Sequence, residues 1–412
     1  KSVTNKPTLI ISKSTIGKYA PNKENTSGVH GSPLGENEFE LFLENIGFSG
    51  DPFIHNPEIY SYFDEKREND NSKFDEWKAN LKSKLQSDKN FRQLWNQFNN
   101  FETSAVELEW SSDEASRVIG GKILNEYGLS NKFIIGGSAD LAASTKQIIS
   151  DNTFGSNNFG GNSIEFGIRE HAMGGIVNGL ALHSNLIPYG STFLVFSDYM
   201  RPSMRLASLM NVNSLFIFTH DSIYLGEDGP THQPIEHLMS LRLIPNLDVI
   251  RPSNSMELIH SYRYALEKRD NPKAIILSRQ NMKFFDNDVS YKDFQTGAYE
   301  FMPGKDITLV ATGSELELAF EISKNLKDLS VQIISAPILN KINKEKIESL
   351  NLNQNIFTLE LGRSIGWDSY IENITRSFSI DSFGESAPIE ELTERFSFSV
   401  KKISDEIRSL LN

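Results

Sequence analysis

The chain has 412 residues, enough for two or three domains, and its 38% hydrophobic and 23% charged residues are typical of a globular protein with a large core. Its formal net charge of −13 argues against binding to nucleic acid or to an anionic membrane, because an acidic surface repels phosphate groups. The absence of cysteine excludes disulfides, thiolate metal sites and a cysteine nucleophile. No apolar run is long enough to span a membrane, and we expect a cytoplasmic protein.

The first hundred residues begin with an apolar segment, 8–11, that predicts a buried strand. A loop rich in glycine, proline and asparagine follows. The next segment predicts a helix whose candidate buried residues are Phe39, Leu41, Phe42 and Ile46. Charged residues with aromatic residues at helical intervals then predict surface helices over 57–100, which we interpret as a connecting arm without catalytic residues.

From residue 104, short apolar strands alternate with helices, which predicts a parallel sheet covered on both faces. A polar link at 283–297 precedes a second, smaller α/β unit. We therefore predict an α/β protein of three parts, 1–103, 104–287 and 288–412. Ligands of open α/β folds bind beyond the carboxyl ends of the strands, and several polar motifs of this chain lie there.

The most informative of these motifs is the loop 219–234, THDSIYLGEDGPTHQP, which follows the strand SLFIF. Here His220 and His232 flank Asp228, and imidazoles move protons and bind hydroxyl groups near neutral pH. A polar surface loop with capping roles is the alternative for an arbitrary segment with two histidines.

Three further patterns each have a structural and a functional interpretation. Glu170 begins a helix of small residues. The helix dipole stabilises a carboxylate at this position, and a buried carboxylate here can instead bind a ligand nitrogen. The aromatic series Phe193, Phe196 and Tyr199 indicates either core or a flat slot for an aromatic ring. Arginine is the preferred ligand of a phosphate group, and the scattered set of candidates comprises Arg117, Ser144, His220 and Arg279.

Together these motifs resemble the transketolase family, in the order in which that family has them. The matching segments are GVHGSPLG, GGSADL, EFGIREHAM, STFLVFSDY, THDSIYLGEDGPTHQPIEHL, IRPSN and LSRQN. The loop motif is highly specific, whereas IRPSN or GGSADL alone would be weak. The resemblance extends from about residue 6 to the C-terminus and implies the thiamine-diphosphate-binding fold, with 104–287 as the pyrimidine-binding domain.

The resemblance implies thiamine diphosphate as cofactor, with Mg²⁺ or Ca²⁺. Glu170 matches the glutamate that binds the pyrimidine ring of the cofactor, and Phe193, Phe196 and Tyr199 match the pocket of that ring. Asp140 resembles a residue that supports the cofactor from the neighbouring subunit of a homodimer. His30 and His232 resemble the histidines around the upper hydroxyls of the substrate, with His232 a candidate proton shuttle near the reacting carbon. His30 is also a candidate cofactor-binding residue.

The family transfers a two-carbon ketol unit from a ketose phosphate, such as xylulose 5-phosphate, to an aldose phosphate, such as ribose 5-phosphate or erythrose 4-phosphate, in the pentose phosphate pathway. Asp228 resembles the aspartate that binds a substrate hydroxyl. The substrate phosphate would be bound by Arg117, Ser144, His220 and Arg279, which provides the local positive charge that an acidic protein needs. The other histidines match no catalytic role: His55, His171, His183, His237 and His260.

Two features depart from the family pattern. A Gly-Asp-Gly motif and a later asparagine, which bind the diphosphate and the metal, are absent, so we expect 1–103 to be the C-terminal remnant of that domain and its connecting arm. Tyr224 stands where the family has a small residue, and it could narrow the mouth of the site or point to solvent.

Dihydroxyacetone synthase, deoxyxylulose-phosphate synthase and a non-catalytic homologue or inactive fragment remain alternatives. The C-terminal unit is assigned to packing and dimer support.

Overall fold

The structure, a computed structural model, describes residues 9–54, 56–100, 112–149, 152–283, 285 and 289–411. The chain divides into two compact units, Lys1–Arg92 and Gln93–Asn412. No helix in the described ranges is long and apolar enough to cross a membrane. The helices of the first hundred residues are α1 (Glu36–Asn45), α2 (Pro57–Ser87) and α3 (Lys89–Asn100).

The first unit corrects two predictions. Residues 9–11 form no strand and are exposed, while Thr8 lies outside the described residues. The buried face predicted for α1 is also wrong, since Phe39, Leu41 and Ile46 are each more than a third exposed. In α1 the buried residue is instead Glu38, whose carboxylate accepts hydrogen bonds from the backbone and side-chain nitrogens of Asn22. These hydrogen bonds hold Glu38 against the segment that contains Asn22, whereas Glu36, Glu40 and Glu44 are exposed.

The second unit contains two sheets, each formed by strands that alternate with helices. In the described part of the chain, the first sheet has five parallel strands in the order β2-β3-β4-β6-β5, and β1 pairs with β7. The strands of this region are β1 (Glu114–Ala115), β2 (Ile134–Ser138), β3 (Ile187–Phe193), β4 (Leu215–Thr219), β5 (Asp248–Ile250), β6 (Lys273–Leu277) and β7 (Asn281–Met282).

Helices cover both faces of this sheet, which explains why its strands are continuously apolar: all five residues of β4 are buried. The register aligns Thr219 with Phe193 on one side and with Leu277 on the other, so β3, β4 and β6 end at the same edge. The helices are α4 (Ser116–Ser130), α5 (Ala142–Thr145), α6 (Glu170–His183), α7 (Ser197–Leu209), α8 (His237–Arg242) and α9 (Ser255–Glu267).

The second sheet confirms the predicted smaller C-terminal α/β unit. Its described strands have the order β12-β11-β9-β10-β8, with β8 antiparallel to β10 and the other pairs parallel. They are β8 (Tyr299–Met302), β9 (Ile307–Ala311), β10 (Val331–Ser335), β11 (Asn355–Leu359) and β12 (Ile374–Phe378). The accompanying helices are α10 (Tyr291–Phe294), α11 (Glu315–Asn325), α12 (Lys344–Ser349), α13 (Ile389–Arg395) and α14 (Val400–Leu411).

Candidate functional site

Aromatic rings and histidines meet at the edge where β3 and β4 end. Phe193, the last residue of β3, stacks on His220, which follows β4, with ring centroids 3.7 Å apart. Phe196 lies nearly parallel to Phe193, with centroids 5.8 Å apart and an angle of 8° between the rings. The ring of His232 packs edge-on against Phe196, at 5.6 Å. The structure thus brings together both histidines of the loop 219–234 and two of the three predicted aromatic residues.

Tyr199 extends this aromatic series into solvent. It lies on the first turn of α7, its ring centroid is 6.1 Å from that of Phe196, and 63% of the residue is exposed. The stripe is therefore not a core stripe, because its burial falls from Phe193 to Tyr199. An exposed aromatic face beside two stacked rings can bind a flat ligand ring.

His220 is held in a constrained and buried position. Its backbone is left-handed, with φ of 61°, which is uncommon outside glycine, and its Nδ1 is 2.8 Å from the Thr219 hydroxyl. Burial, and then the positive charges of Arg117 and Arg279, lower the pKa of His220 to about 3. The imidazole is therefore neutral at physiological pH, and the positive charge of this region comes from the two arginines.

The predicted phosphate ligands come from three different elements. Arg117 lies on the first turn of α4 and donates a hydrogen bond to the backbone carbonyl of Ser144 on α5. Partial burial, and then the charge of Arg279, lower the pKa of Arg117. Arg279 follows β6 and is exposed. Because both arginines lower the pKa of His220 and Arg279 also lowers that of Arg117, the three side chains lie near one another.

Glu170 and Asp140 lie at the carboxyl-terminal side of the same sheet. Glu170 is the first residue of α6, which packs against β3, and only 9% of it is exposed. Asp140 follows β2 and has a φ of 61°. It lines a cleft of about 540 Å³ together with Ser138, Glu165 and Arg169, which the sequence interpretation did not select. Ser138 ends β2, and Glu165 and Arg169 lie in the segment before α6, and this position at a strand end or before a helix is the signal that would have identified them.

The remaining predicted site residues, Asp228, His232 and His30, are more exposed than His220. Asp228 is exposed, and His232 is half-buried, with its Nδ1 2.9 Å from the hydroxyl of Thr231. His30 is exposed and follows the short 3₁₀ helix Ser27–Val29 in the first unit, and its role remains a prediction. Of the histidines without an assigned role, His55 lies outside the described residues.

Tyr224 does neither of the two things that the sequence suggested. It belongs to the short 3₁₀ helix Ile223–Leu225 and packs with the core of the C-terminal α/β unit. Its hydroxyl accepts a hydrogen bond from Thr393 on α13, at 3.3 Å, and burial raises its pKa to about 12. The side chain therefore fastens the loop 219–234 to the C-terminal unit and neither narrows the mouth of the site nor points to solvent.

Comparison with known families decides which family has this arrangement. Residues 1–100 match the family model for the transketolase thiamine diphosphate binding domain, residues 115–284 that for the transketolase pyrimidine binding domain, and residues 297–399 that for the transketolase-like C-terminal domain. The chain belongs to the transketolase family. The resemblance in the motifs and the predicted fold class are both confirmed.

Curated transketolases have clear sequence similarity to almost the whole chain. The transketolase of Staphylococcus aureus (strain MRSA252) is 37% identical over 431 residues, which cover 98% of this chain and 64% of the relative. The transketolase of Bacillus subtilis (strain 168) is also 37% identical, over 99% of this chain and 64% of the relative. The chain thus spans about two-thirds, 64%, of the length of these transketolases.

Solved transketolase structures share the fold. A transketolase from Pichia stipitis, in complex with sedoheptulose 7-phosphate, superposes with a TM-score of 0.92 at 29% identity, over 99% of this chain and 63% of that one. A transketolase from Campylobacter jejuni gives a TM-score of 0.82 at 35% identity, over 97% and 63% of the two chains. A split-gene transketolase described as an inactive beta4 tetramer gives 0.60 at 27% identity, over 72% of this chain and 98% of that one.

Proposed function

We propose that this protein acts as a transketolase, transferring a two-carbon ketol unit from a ketose phosphate to an aldose phosphate with thiamine diphosphate as cofactor. The observation that carries the proposal is the group formed by His220, Arg117 and Arg279 beside the stacked rings of Phe193 and Phe196. It combines a cationic site, suited to a phosphate group, with aromatic faces, suited to a flat ring.

The chemistry of the residues present fits the aminopyrimidine ring of thiamine. A flat, partly apolar ring with hydrogen-bonding nitrogens needs aromatic surface and a carboxylate, which Phe193, Phe196, Tyr199 and the nearly buried Glu170 provide. When bound, the cofactor supplies the nucleophilic carbon and stores the electron pair of the cleaved bond. In this proposal Glu170 orients the ring and holds a proton at its nitrogen. Mg²⁺ or Ca²⁺ as the accompanying metal, and Asp140 as a support for the cofactor, are further parts of the proposal.

The substrate would lie between the aromatic group and the arginines. Arg117 and Arg279 provide two positive charges for the terminal phosphate, and a neutral His220 can exchange hydrogen bonds with the phosphate without adding charge. The contact between Thr231 and Nδ1 of His232 fixes the orientation of that ring and leaves Nε2 as the atom that can face a substrate hydroxyl. His30, Ser144 and Asp228 are assigned to substrate hydroxyls or phosphate on the family resemblance.

The pairing of ketose and aldose is the most specific part of the proposal. We infer xylulose 5-phosphate as donor and ribose 5-phosphate or erythrose 4-phosphate as acceptors, in the pentose phosphate pathway, and a homodimer as the active form. Apolar residues exposed on α6 and α7, among them Ile176, Leu182 and Leu209, support association through this face. A cytoplasmic location stays a prediction.

The decisive experiment measures ketol transfer in the longest form of the protein that its gene encodes. With thiamine diphosphate and Mg²⁺, we expect transfer from xylulose 5-phosphate to ribose 5-phosphate, and no turnover of pyruvate with an aldehyde phosphate. Efficient use of formaldehyde as acceptor would instead identify a dihydroxyacetone synthase. Glu170→Gln should abolish transfer while the circular dichroism spectrum is kept, and near-normal activity in that variant would reject the mechanism.

A second measurement tests the phosphate site. Replacing Arg279 by glutamine should raise KM for the phosphorylated donor by about tenfold or more, because a charge-assisted hydrogen bond is lost, while kcat changes little. Arg376→Gln, which removes an exposed arginine paired with Glu406 on the C-terminal unit, is the matched control and should leave KM unchanged. An unchanged KM in both variants would remove Arg279 from the substrate site.

A further inference from the structure

A histidine and two carboxylates converge where the N-termini of α7 and α8 meet. Asp198 is the second residue of α7, Glu236 immediately precedes α8 and His237 is the first residue of α8. Within the described ranges, one ligand atom from each of these three residues lies within 4.8 Å of the others. The function proposed above uses none of the three.

The ring of His237 is the unusual member of this group. Its side chain is 5% exposed, yet neither ring nitrogen has a hydrogen-bond partner among the described residues. A buried polar group without a partner costs about 1–3 kcal/mol, so nearly all such groups in native proteins have one. Nε2 lies 3.2 Å from Oδ2 of Asp198 without the alignment of a hydrogen bond, and Nδ1 lies 3.9 Å from Oε2 of Glu236.

Helix electrostatics explain only part of this arrangement. A carboxylate near a helix N-terminus is stabilised by the helix dipole, which accounts for Asp198 and Glu236. Both carboxylates are more than half exposed and can hydrogen-bond to water, whereas the imidazole cannot. A positively charged species bound to a ring nitrogen of the histidine would give that nitrogen a partner. It would also neutralise the charge of the two carboxylates.

We propose that Asp198, Glu236 and His237 form a binding site for a divalent transition-metal ion of the Zn²⁺ class. Imidazole nitrogen and carboxylate oxygen are both ligands of Zn²⁺ in proteins, and three such protein ligands leave the fourth position to water. Mg²⁺ and Ca²⁺ prefer oxygen ligands alone and are not expected here. The two carboxylates balance the charge of the ion.

The position of this site gives the ion a structural consequence. Asp198 is adjacent to Tyr199, at the exposed end of the aromatic group, and Glu236 lies four residues after His232. An ion bound by all three residues would cross-link α7 to the segment that follows the loop 219–234. Binding to the folded state alone also raises the midpoint of thermal unfolding, because it stabilises that state by an amount that grows with the logarithm of the free ion concentration once this exceeds the dissociation constant.

The test measures metal binding directly and needs no catalytic activity. The purified chain is freed of metal with a chelator and titrated with Zn²⁺ against a chromophoric competitor, and with Co²⁺ followed by its visible absorption. An excess of Mg²⁺ occupies sites that consist of oxygen ligands alone. We expect one tight equivalent of Zn²⁺ and a Co²⁺ spectrum typical of nitrogen and oxygen ligands. His237→Gln and Asp198→Asn should each weaken binding by at least about tenfold.

The matched control removes a histidine elsewhere on the same domain. His183→Gln replaces an exposed histidine at the end of α6 and should bind Zn²⁺ as the unaltered chain does. Asp198→Asn changes an exposed side chain, so it remains informative if His237→Gln does not fold. No tight Zn²⁺ binding, or equal binding by the unaltered chain and by Asp198→Asn, would overturn the proposal. So would an NMR titration showing a protonated His237 at neutral pH that Zn²⁺ does not displace, because a proton would then satisfy the carboxylates.

Discussion

The guanidinium group of Arg251 donates two hydrogen bonds to Oδ2 of Asp221, at 3.1 and 2.8 Å, with both side chains buried. Asp221 directly follows His220, and Arg251 also donates to Thr312 and Glu315 of the C-terminal α/β unit. The residue beside the candidate phosphate site is therefore joined to a different domain through one arginine. The C-terminal unit, assigned from sequence to packing and dimer support, also positions the loop 219–234.

A second buried ion pair continues this network. Arg242 binds both carboxylate oxygens of Glu360, at 2.8 and 2.7 Å, and Glu360 also accepts hydrogen bonds from Thr312 and the indole of Trp367. Burial alone would raise the pKa of Glu360, but the nearby charges of Arg242 and Arg251 lower it to about 2. Glu360 is therefore ionised at neutral pH, and its charge is balanced by that of Arg242.

Removing one partner of the Arg251 network should be severely destabilising. Asp221→Asn leaves part of the buried guanidinium charge without its counter-ion, and we expect the free energy of unfolding to fall by about 3–5 kcal/mol. Urea unfolding followed by circular dichroism measures this change. The control is Glu406→Gln, which breaks the exposed pair with Arg376 and should cost about 1 kcal/mol or less. Equal losses in the two variants would contradict the special role of the buried network.

The packing of Tyr224 predicts graded effects of shortening that side chain. Tyr224→Phe removes one hydrogen bond to Thr393 and should cost about 1 kcal/mol, while Tyr224→Ala also removes the ring from the C-terminal core and should cost about 3 kcal/mol. Tyr199→Ala, at a tyrosine that is 63% exposed, serves as control and should change stability by about 0.5 kcal/mol or less. Unfolding midpoints of the three variants test the order.

His220 should make the stability of the chain depend on pH in a defined window. Its folded pKa of about 3 lies below the ordinary histidine value of 6.5, chiefly because of burial and then because of Arg117 and Arg279. Between these two values the unfolded chain binds one more proton at this residue than the folded chain. This contribution is therefore fully present above about pH 6.5 and is lost as the pH falls toward 3, by up to ~1.4 kcal/mol per pH unit.

The measurement is a series of urea unfolding curves between pH 7.5 and about 4.5, a range in which the folded imidazole stays neutral. His220→Gln should remove part of the decline in stability toward acid, whereas His183→Gln, at an exposed position, should keep the full decline. An NMR titration in which the imidazole of His220 protonates near pH 6.5 in the folded chain would refute the prediction.

Gly121 is required by a close approach between α4 and α5, the two helices that hold Arg117 and Ser144. A Cβ atom at this position would lie 2.2 Å from the backbone oxygen of Lys146, a contact that no side-chain movement can relieve. Gly121→Ala should therefore destabilise the chain by about 1–3 kcal/mol and displace the phosphate ligands. Gly175→Ala lies on α6, where no described atom beyond the adjacent residues and the helix's own backbone is within 4 Å of the added carbon, and it should be neutral or stabilising by up to about 1 kcal/mol. Thermal unfolding of both variants checks the contrast.

Much of the fold was predictable because its signals are local. The apolar run of β4 and the small-residue helix that begins at Glu170 are recognisable from a few adjacent residues, and the structure has both elements. The N-terminal unit was predicted poorly at residues 9–11 and in α1, since an apolar segment indicates burial only where another element covers it.

The sequence by itself determined the family, the alternation of strands and helices, and the candidate residues around His220 and His232, because each of these is encoded in a contiguous motif. Only the tertiary structure decided that Arg117 and Arg279 both lower the pKa of the His220 imidazole. It also decided that Tyr224 packs into the C-terminal core and that Arg251 pairs with both Asp221 and Glu315. The physical reason is the register of parallel strands. It brings the ends of β3, β4 and β6 to one edge. The pairing of β1 with β7 then places Arg117 and Arg279, more than 150 positions apart, within reach of each other's charge.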